Sequence, residues 1–430
     1  MNSYPSQHEE TGVPLASALD GAAARGPTRV GAIALGALLV FVVLAPLIAA
    51  SPAPEEGVAG EGNVFRQLIY LAVFAMALYG AQVTRTPVAL VALPVSLFLM
   101  LLWCCLSVAW ALAPGIAARR LALTLIIVWS VFLLVGTTGY GKAVRLARWV
   151  LALTLAANYI AVLAVPSWAI HQAASEADPS IVGAWRGILM QKNFAGVACV
   201  LAMLFFVFDA QRIGRLLRLS VVVAAAVFLY HTNSRTSMIL AASSVFVVGL
   251  YRLYAPYYRW AACLFLGFAA LLAGLLAHAY WDVLGAALSR PDALTGRPLI
   301  WSALWRYAGD HWLLGSGFGS FWNVGGQDPI ASYTRGWVAT AIYSGHNGYL
   351  DVLVQTGVPG LILAVIAIVL APLATFVMHQ SLDRSRAGLL LACIWFCIGH
   401  NLTESSLFDR DATVHVFLMR SIALLRREAQ

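Results

Sequence analysis

The chain has 430 residues, of which 61% are hydrophobic and only 11% are charged. Soluble globular domains carry roughly twice that share of charged residues, so the composition excludes an ordinary soluble protein. Apolar runs of about 20 residues favour membrane-spanning helices over the shorter, alternating strands of a barrel. The net charge of +8 needs no nucleic acid partner, because basic residues collect at the cytoplasmic ends of membrane helices.

The predicted fold is an all-α polytopic membrane protein with about twelve transmembrane helices. Residues 1–30 are polar and are expected to form a cytoplasmic tail. Residues 31–280 carry helices one to nine, residues 281–357 form one large outer loop domain with short helices, and residues 358–430 carry helices ten to twelve and a cytoplasmic C-terminus. The predicted spans are 31–50, 64–82, 88–110, 119–138, 147–166, 193–209, 215–231, 236–253, 259–280, 358–378, 386–402 and 411–426.

The distribution of basic residues orients these spans. If the N-terminal tail is cytoplasmic, every inner connection carries Lys or Arg, and the richest are Lys142/Arg145/Arg148 and Arg212/Arg215/Arg218. The first outer connection instead carries Glu55, Glu56 and Glu61. The positive-inside rule therefore predicts that both termini are cytoplasmic and that the loop domain faces the outer side of the membrane.

Charged side chains are expected only toward the ends of the spans, which argues against a transporter with a central polar pathway. Several cations lie instead at the outer starts of helices, where the helix dipole already favours anions. Lys192 precedes Asn193, a candidate cap of span six, and Arg235 follows Asn233 and Ser234, candidate caps of span eight. An anionic ligand such as a phosphate would satisfy both the cation and the helix start, whereas contact with lipid phosphates is the alternative.

The loop domain supplies the candidate catalytic residue. His346 precedes a predicted short helix, 347–355, which Thr356 and Gly357 should end, and an imidazole at a helix N-terminus can act as a general base. Arg297 precedes Pro298, a residue suited to the first turn of a helix. His171, His278, His311 and His379 are interpreted as surface histidines, and Gly315 to Gly319 as a flexible turn.

The loop tryptophans are interpreted as an interfacial aromatic belt, with stacking on a sugar as the alternative for Trp322 or Trp337. The six cysteines fall inside apolar runs and suggest neither a disulfide nor a metal site.

Taken together, the polar motifs resemble the bacterial O-antigen ligase and O-antigen polymerase superfamily, most closely the O-antigen ligases. The resemblance extends from about residue 60 to 426. Its motifs are Gln191-Lys192-Asn193-Phe194-Ala195-Gly196, Asn233-Ser234-Arg235-Thr236, Thr295-Gly296-Arg297, Gly345-His346-Asn347-Gly348-Tyr349-Leu350, Gly357-Val358-Pro359-Gly360 and Asn401-Leu402-Thr403-Glu404-Ser405.

The resemblance implies a GT-C-type glycosyltransferase of the bacterial inner membrane with its active site on the periplasmic side. Such enzymes use a glycan linked to undecaprenyl diphosphate, need no metal or cofactor, and invert the anomeric centre. The acceptor is the lipid A–core in ligases and another repeat unit in polymerases. The alternative function is therefore an O-antigen or exopolysaccharide polymerase that uses the same donor, and a transporter of lipid-linked glycans is a third.

The resemblance also implies roles for individual residues. His346 would be catalytic, and Arg235, Arg297, Arg186 and Lys192 would bind the diphosphate. Asn347, Glu404 and Arg410 are candidate supporting residues. Membrane lipids would surround the spans and form the entry route of the donor.

Overall fold

The computed structural model describes residues 29–48, 63–174, 179–280, 296–325, 328–340, 342–379, 381–410 and 412–430. The predicted tail up to residue 28, the acidic connection at 49–62 and the first part of the loop domain, 281–295, lie outside the described residues.

The described residues are helical and contain no β-strand; their only strand-like feature is an isolated bridge between Ile170 and Trp185. The longer helices are α1 (Arg29–Ile48), α2 (Val64–Gly80), α3 (Val95–Ser107), α4 (Pro114–Thr138), α5 (Tyr140–Ala164), α6 (Lys192–Val207), α7 (Arg215–His231), α8 (Arg235–Leu253), α9 (Arg259–Ala279), α10 (Arg297–Asp310), α11 (Gly348–Val365), α12 (Arg384–His400) and α13 (Thr413–Ala429). Helix α11 continues through a π-helical turn, Ile366–Leu370, into Ala371–Met378.

Each of the twelve predicted spans overlaps one of these helices, so the all-helical membrane fold is confirmed. Five helical segments are long and apolar enough to cross a membrane: Pro114–Thr138, Tyr140–Ala164, Arg235–Leu253, Arg259–Leu276 and Gly348–Met378. Four shorter helices are also apolar: Arg29–Leu44, Val64–Gly80, Val95–Trp110 and Lys192–Val207. The number of twelve crossings and the GT-C assignment stay predictions.

Two helix boundaries differ from the prediction for local chemical reasons. The predicted span 88–110 begins as a 3₁₀ turn, and α3 starts only after Pro94, because proline has no N–H to extend an earlier helix and suits a helix start. The predicted loop around Lys142 is helical, since α5 already begins at Tyr140. Three basic residues thus occupy the first turns of α5.

A break at Gly357 divides α11, as the sequence predicts. Gly357 has φ +69 and ψ −177, a conformation that is essentially restricted to glycine. The short segment before the break carries the polar end of α11, and the apolar segment after it continues to Met378. The break therefore separates the part of α11 that serves the loop domain from the part that resembles a membrane span.

The centre of the bundle is formed by α12 and α13, which are buried along most of their length. Helix α12 packs against α6, α8 and α13, and α13 packs against α1 and α4. By contrast, large apolar side chains project outward from other helices, for example Leu163 and Leu253, which are more than four-fifths exposed. An apolar exterior of this kind matches a lipid environment rather than water.

One charged residue departs from the expected pattern. Arg420 lies in the middle of α13, is only 1% exposed, and contacts the rings of Phe205 and Phe417. The expectation that charged residues stay near the ends of the spans is therefore wrong at this position. Helix α13 was predicted from apolarity alone, and its burial on almost all sides explains how a cation can be enclosed there.

The loop domain has a hydrophobic cluster of its own, centred on Tyr307, Phe321 and Trp322. Trp322 is 9% exposed and donates to Asp351 at 2.9 Å, so it belongs neither to an interfacial belt nor to a sugar-stacking surface. Trp301 likewise donates inward, to the Gly345 carbonyl. The aromatic-belt prediction is wrong for Trp322, because burying its indole requires a hydrogen-bond acceptor and the fold provides one. For the half-buried Trp301 it stays a prediction.

The glycine-rich turn is closely packed, contrary to the prediction of a flexible turn. Gly315, Gly317 and Gly319 all have positive φ. A Cβ on Gly315 would lie 2.6 Å from the backbone of Gln355, and one on Gly317 would lie 2.5 Å from Ala111. The glycines thus allow the loop domain to approach the helices on which it rests.

Candidate active site around Glu404

A tight turn, residues 401–406, follows the end of α12 and is fixed by the buried side chain of Asn401. The Asn401 amide oxygen accepts hydrogen bonds from the backbone N–H and the hydroxyl of Ser406, at 2.8 and 2.9 Å. Its amide nitrogen donates to the Cys397 carbonyl at 2.8 Å. This arrangement, here named the 401–406 turn, directs Glu404 toward the starts of neighbouring helices.

The Glu404 carboxylate binds three side chains from distant parts of the sequence. Its Oε1 accepts from Arg297 Nη2 at 2.6 Å and from Asn193 Nδ2 at 2.7 Å. Its Oε2 lies 3.3 Å from His346 Nδ1. The side chains of Arg297 and Glu404 are 14% and 17% exposed, whereas that of His346 is 36% exposed. The carboxylate and guanidinium are thus shielded from water, and the imidazole reaches the surface of the site.

The protonation state of Glu404 determines which ring nitrogen of His346 carries the proton. Burial raises the pKa of the Glu404 carboxyl, but the hydrogen bond with His346 and the charge of Arg297 outweigh burial, so the pKa lies below its ordinary value of 4.5. An ionised carboxylate can only accept hydrogen bonds. The contact therefore requires the proton on His346 Nδ1, which leaves Nε2 as the nitrogen available to a substrate.

The backbone around His346 is strained and is fixed by its neighbours. His346 has φ +47, a left-handed conformation that costs a non-glycine residue about 1 kcal/mol or more. Trp301 Nε1 donates to the Gly345 carbonyl at 3.0 Å, and the Asn347 N–H donates to Ser405 Oγ at 3.0 Å. These bonds on both sides of His346 keep its imidazole directed at Glu404.

Asn347 connects the start of α11 to the 401–406 turn. Its side-chain oxygen accepts from the N–H groups of Tyr349 and Leu350, both at 3.1 Å, and its side-chain nitrogen donates to the Leu402 carbonyl at 3.2 Å. The adjacent Gly348 N–H donates to the carbonyls of Asn401 and Glu404. Asn347 is thus a helix cap whose position also fixes His346.

Arg297 is the first residue of α10, as the sequence predicts for the helix that contains Pro298. The preceding Gly296 has φ +80, and a Cβ at this position would lie only 3.1 Å from the ring of Trp337. A glycine is required there for both reasons. The resulting turn directs the Arg297 guanidinium to Glu404.

Two more cations lie at helix starts beside the turn. Lys192 begins α6, and Arg235 begins α8. The residue after each of these cations contacts the 401–406 turn. Asn193 donates to Glu404, and the Thr236 hydroxyl lies 3.1 Å from the Thr403 hydroxyl. Arg235 is exposed and forms no hydrogen bond or ion pair with the described part of the chain.

The starts of α6 and α8 also pack tightly against each other. A Cβ on Gly196 would lie 2.8 Å from Ser237 Oγ and 2.9 Å from Ser234 Cβ. The two helix N-termini, with their positive dipole ends, are therefore adjacent. Lys192 and Arg235 begin these two helices, so the starts of α6 and α8 bring further positive charge to the neighbourhood of the Glu404–Arg297 pair.

Arg186 and Arg410 interact with other parts of the structure. Arg186 donates to the carbonyls of Trp168 and Met190, at 2.8 and 3.4 Å, and stacks over the Trp168 ring. Arg410 lies within electrostatic range of Arg120. Their suggested roles in substrate binding or support stay predictions.

Sequence reasoning missed the central position of Glu404 and misassigned two neighbours. Asn193 does not cap α6, since Gln191 occupies the cap position and the Asn193 side chain binds Glu404 instead. His171 is not a surface residue: it is 3% exposed, and its Nε2 accepts the Lys192 N–H at 3.3 Å. An acidic residue in a polar motif beside two cationic motifs is the signal that could have identified Glu404.

The site can bind an anion and can place a base beside it. Within the described ranges, no group of three or more His, Cys, Asp or Glu side chains is placed to bind a metal ion. The positive charge of the site comes from Lys192, Arg235 and Arg297, and His346 provides the imidazole.

Comparison with known protein families finds a match in the region of the chain that contains three of the site residues. Residues 220–365 match the family model described as O-antigen ligase. This segment includes Arg235, Arg297 and His346, whereas Glu404, Asn193 and Lys192 lie outside it. No curated protein matches the chain. The match confirms the resemblance predicted from the motifs: residues 220–365 are similar to the O-antigen ligase family.

Proposed function

We propose that the protein is an O-antigen ligase of the bacterial inner membrane. It transfers a polysaccharide from undecaprenyl diphosphate to a sugar hydroxyl of lipid A–core at the periplasmic face, without a metal and with inversion of the anomeric centre. The observation that carries this proposal is the Glu404 carboxylate, which joins His346 to Arg297 beside the cationic starts of α6 and α8.

In this proposal His346 is the general base. Glu404 accepts a hydrogen bond from the protonated Nδ1 of His346. The Nε2 of His346 receives the proton of the acceptor hydroxyl. The hydroxyl oxygen forms a bond with the anomeric carbon as the bond to the diphosphate oxygen breaks. The electron pair of that bond stays on the departing diphosphate. Glu404 does not contact the reacting atoms and is a positioning residue.

The cations bind the leaving group. Arg235 and Arg297 provide planar guanidinium groups that match phosphate oxygens, and Lys192 adds a point charge at the start of α6. Together with the N–H groups of two helix starts they stabilise the negative charge that develops on the diphosphate. Arg186 extends this set if the glycan-bearing end of the donor reaches Trp168, to which Arg186 is bound.

The test is a His346→Ala variant assayed for glycan transfer, with binding of the lipid-diphosphate donor measured separately. Loss of a general base lowers the transfer rate by about 10²- to 10⁴-fold, and donor affinity should stay close to that of the wild type. The matched control is His311→Ala, because His311 stacks on Tyr307 away from the Glu404 contacts.

Transfer at the wild-type rate in His346→Ala would refute the base role. Loss of donor binding would instead make His346 a phosphate ligand. Ligase and polymerase share this chemistry and differ in the acceptor, so they are separated by the lipopolysaccharide of a strain lacking the protein. A ligase predicts core without any polymer, whereas core bearing a single repeat unit would indicate a polymerase.

A further inference from the structure

A second charged site lies at the opposite ends of the helices that form the Glu404 site. Helix α6 starts at the Glu404 site and ends at Val207, and α12 starts at Arg384 and ends at the 401–406 turn. Where α6 ends and α12 starts, the structure contains a cavity of about 890 Å³ that also reaches the start of α5. At 1.5 Å per residue, the 16 residues of α6 separate the two sites by roughly 24 Å.

The cavity is lined by more cations than anions. Five basic side chains line it, namely Lys142, Arg145, Arg148, Arg212 and Arg386. Its two acidic residues already have partners. Asp209 accepts the Tyr140 hydroxyl at 2.9 Å, and Asp383 caps α12 through the N–H groups of Ser385 and Arg386.

Two of the five cations are fixed by the protein and form the floor of the cavity. Arg148 donates to the carbonyls of Phe205, Phe208 and Asp209, at 2.8, 3.3 and 2.6 Å. Arg386 pairs with Glu428 at 2.7 Å and lies over the Tyr140 ring.

The other three cations, Lys142, Arg145 and Arg212, are exposed. They form no hydrogen bond or ion pair with the residues that the structure describes. They are therefore available to an anionic ligand in the cavity.

The buried Arg420 adds a further charge behind this floor. It lies close enough to Tyr140 and Arg148 to interact with them electrostatically. Its guanidinium nitrogens form no hydrogen bond within the described chain and face aromatic rings instead. Burying a cation without a hydrogen-bond partner costs desolvation free energy, and nearby negative charge would stabilise it.

The remaining wall of the cavity is apolar. Trp149 and Leu217 line it and are 61% and 56% exposed, and Phe206 and Ile213 also line it. A ligand that fits this cavity needs an anionic group for the floor and an apolar chain for the wall. A phospholipid with an anionic headgroup has both parts, and basic pockets between membrane helices bind such headgroups.

We infer that this cavity is a binding site for an anionic phospholipid on the predicted cytoplasmic side of the membrane. The inference does not depend on the proposed function, since it concerns the other end of the helix bundle. Basic residues are expected on this side by the positive-inside rule alone. Their grouping around one cavity with an apolar wall is what distinguishes a site from a general charge bias.

The test is native mass spectrometry of the full-length protein in detergent with added phosphatidylglycerol or phosphatidylcholine. The test variant is Lys142→Gln/Arg145→Gln/Arg212→Gln. The control, Arg85→Gln/Arg215→Gln/Arg259→Gln, removes the same charge from the same predicted side outside the cavity. All six side chains are partly or largely exposed, and thermal unfolding of both variants verifies folding.

We expect the wild type to prefer phosphatidylglycerol over phosphatidylcholine. The test variant should bind phosphatidylglycerol roughly a hundredfold more weakly, since each cation near an anionic lipid contributes about fivefold. The control variant should bind as the wild type does. Equal losses in both variants, or no preference between the lipids, would overturn the inference. Displacement of the lipid by millimolar inorganic phosphate would identify a free phosphate as the ligand instead.

Discussion

At the scale of single residues, Glu404 resolves an electrostatic conflict. Three cations at or beside helix starts repel one another, and each helix dipole adds to the unfavourable field. A carboxylate that binds Arg297 directly and the start of α6 through Asn193 relieves part of this repulsion. Because one carboxylate neutralises only part of the charge, the site keeps an excess of positive charge for an anionic substrate.

The contribution of Glu404 to stability should depend on pH. Its pKa is lowered on folding, so the stabilisation is complete above the ordinary carboxyl pKa of 4.5 and is lost as the pH falls through the lower folded-state value. We expect Glu404→Gln to destabilise the protein by about 1.5–3 kcal/mol near pH 7, which is typical of hydrogen bonds to charged groups. The difference from the wild type should shrink toward about pH 3. Thermal unfolding in detergent, followed by tryptophan fluorescence, measures it.

A suitable control for that measurement is Glu428→Gln. Glu428 pairs with Arg386, whose side chain is 44% exposed, so solvent screening limits that pair to about 1 kcal/mol or less. If the Glu404→Gln difference were constant from neutral to acid pH, the charge of the carboxylate could not be its source.

The sequence could predict the individual residues of the site better than their partners. His346, Arg297 and Arg235 stand in short polar motifs between apolar runs, so polarity in a membrane protein identifies them. Glu404 was predicted only as a supporting residue. Its contacts reach Asn193, 211 residues away in sequence, and no local spacing rule describes such a pairing.

At the scale of secondary structure elements, the break in α11 positions the loop domain. Around Gly357, the Val358 N–H donates to the Trp312 carbonyl at 2.8 Å, and the Ser316 N–H donates to the Val354 carbonyl at 2.9 Å. The break thus releases backbone groups of α11 to bind the segment that follows α10. It also explains why α10, which provides Arg297, lies against the same helix whose start positions His346.

Substituting Gly357 should therefore damage the fold and the site together. A Cβ at this position would overlap the Leu313 carbonyl, and φ is +69. We expect Gly357→Ala to destabilise the protein by about 1–3 kcal/mol from backbone strain alone, with more from the overlap. A lower apparent Tm in thermal unfolding is the measurement.

Gly249→Ala is the matched control for this change. Gly249 lies within α8, and a Cβ there would contact nothing within 4 Å. Alanine has the higher helix propensity, so this variant should be neutral or more stable by up to about 1 kcal/mol. Similar Tm values for Gly357→Ala and the wild type would show that the break is not required.

The positions of the helices could be predicted from the apolar runs of the sequence, but the burial of each helix could not. Helix α13 contains Arg420 in its middle and three other charged residues in its last turn, Arg426, Arg427 and Glu428. It nevertheless lies at the centre of the bundle. Hydropathy measures how apolar a segment is and carries no information on which neighbours will cover it. The helix pairs that surround α13 are set by tertiary packing.

At the scale of the whole molecule, the two charged sites lie at opposite ends of shared helices. Helices α6 and α12 run in opposite directions between them, and both are long enough to separate the sites by most of the thickness of a membrane core. The phosphate-binding chemistry proposed for the Glu404 site therefore belongs to one membrane surface, and the basic cavity to the other. The positive-inside rule predicts that the cavity faces the cytoplasm.

This orientation predicts the labelling of single cysteines introduced on each side. Tyr343, in the loop domain, is 64% exposed. Gly214, between α6 and α7, is exposed, and a side chain there would meet nothing within 4 Å. In spheroplasts, a membrane-impermeant maleimide should label Tyr343→Cys and should label Gly214→Cys only after lysis. Both substitutions are made in a background in which Cys105 and Cys263, the exposed and the half-buried native cysteine, are replaced by Ala, since the other four cysteines are buried. That background without an added cysteine is the control. The reverse pattern would place the Glu404 site in the cytoplasm and exclude a periplasmic ligase. Labelling of both positions before lysis would show that the two sites do not face opposite sides of the membrane.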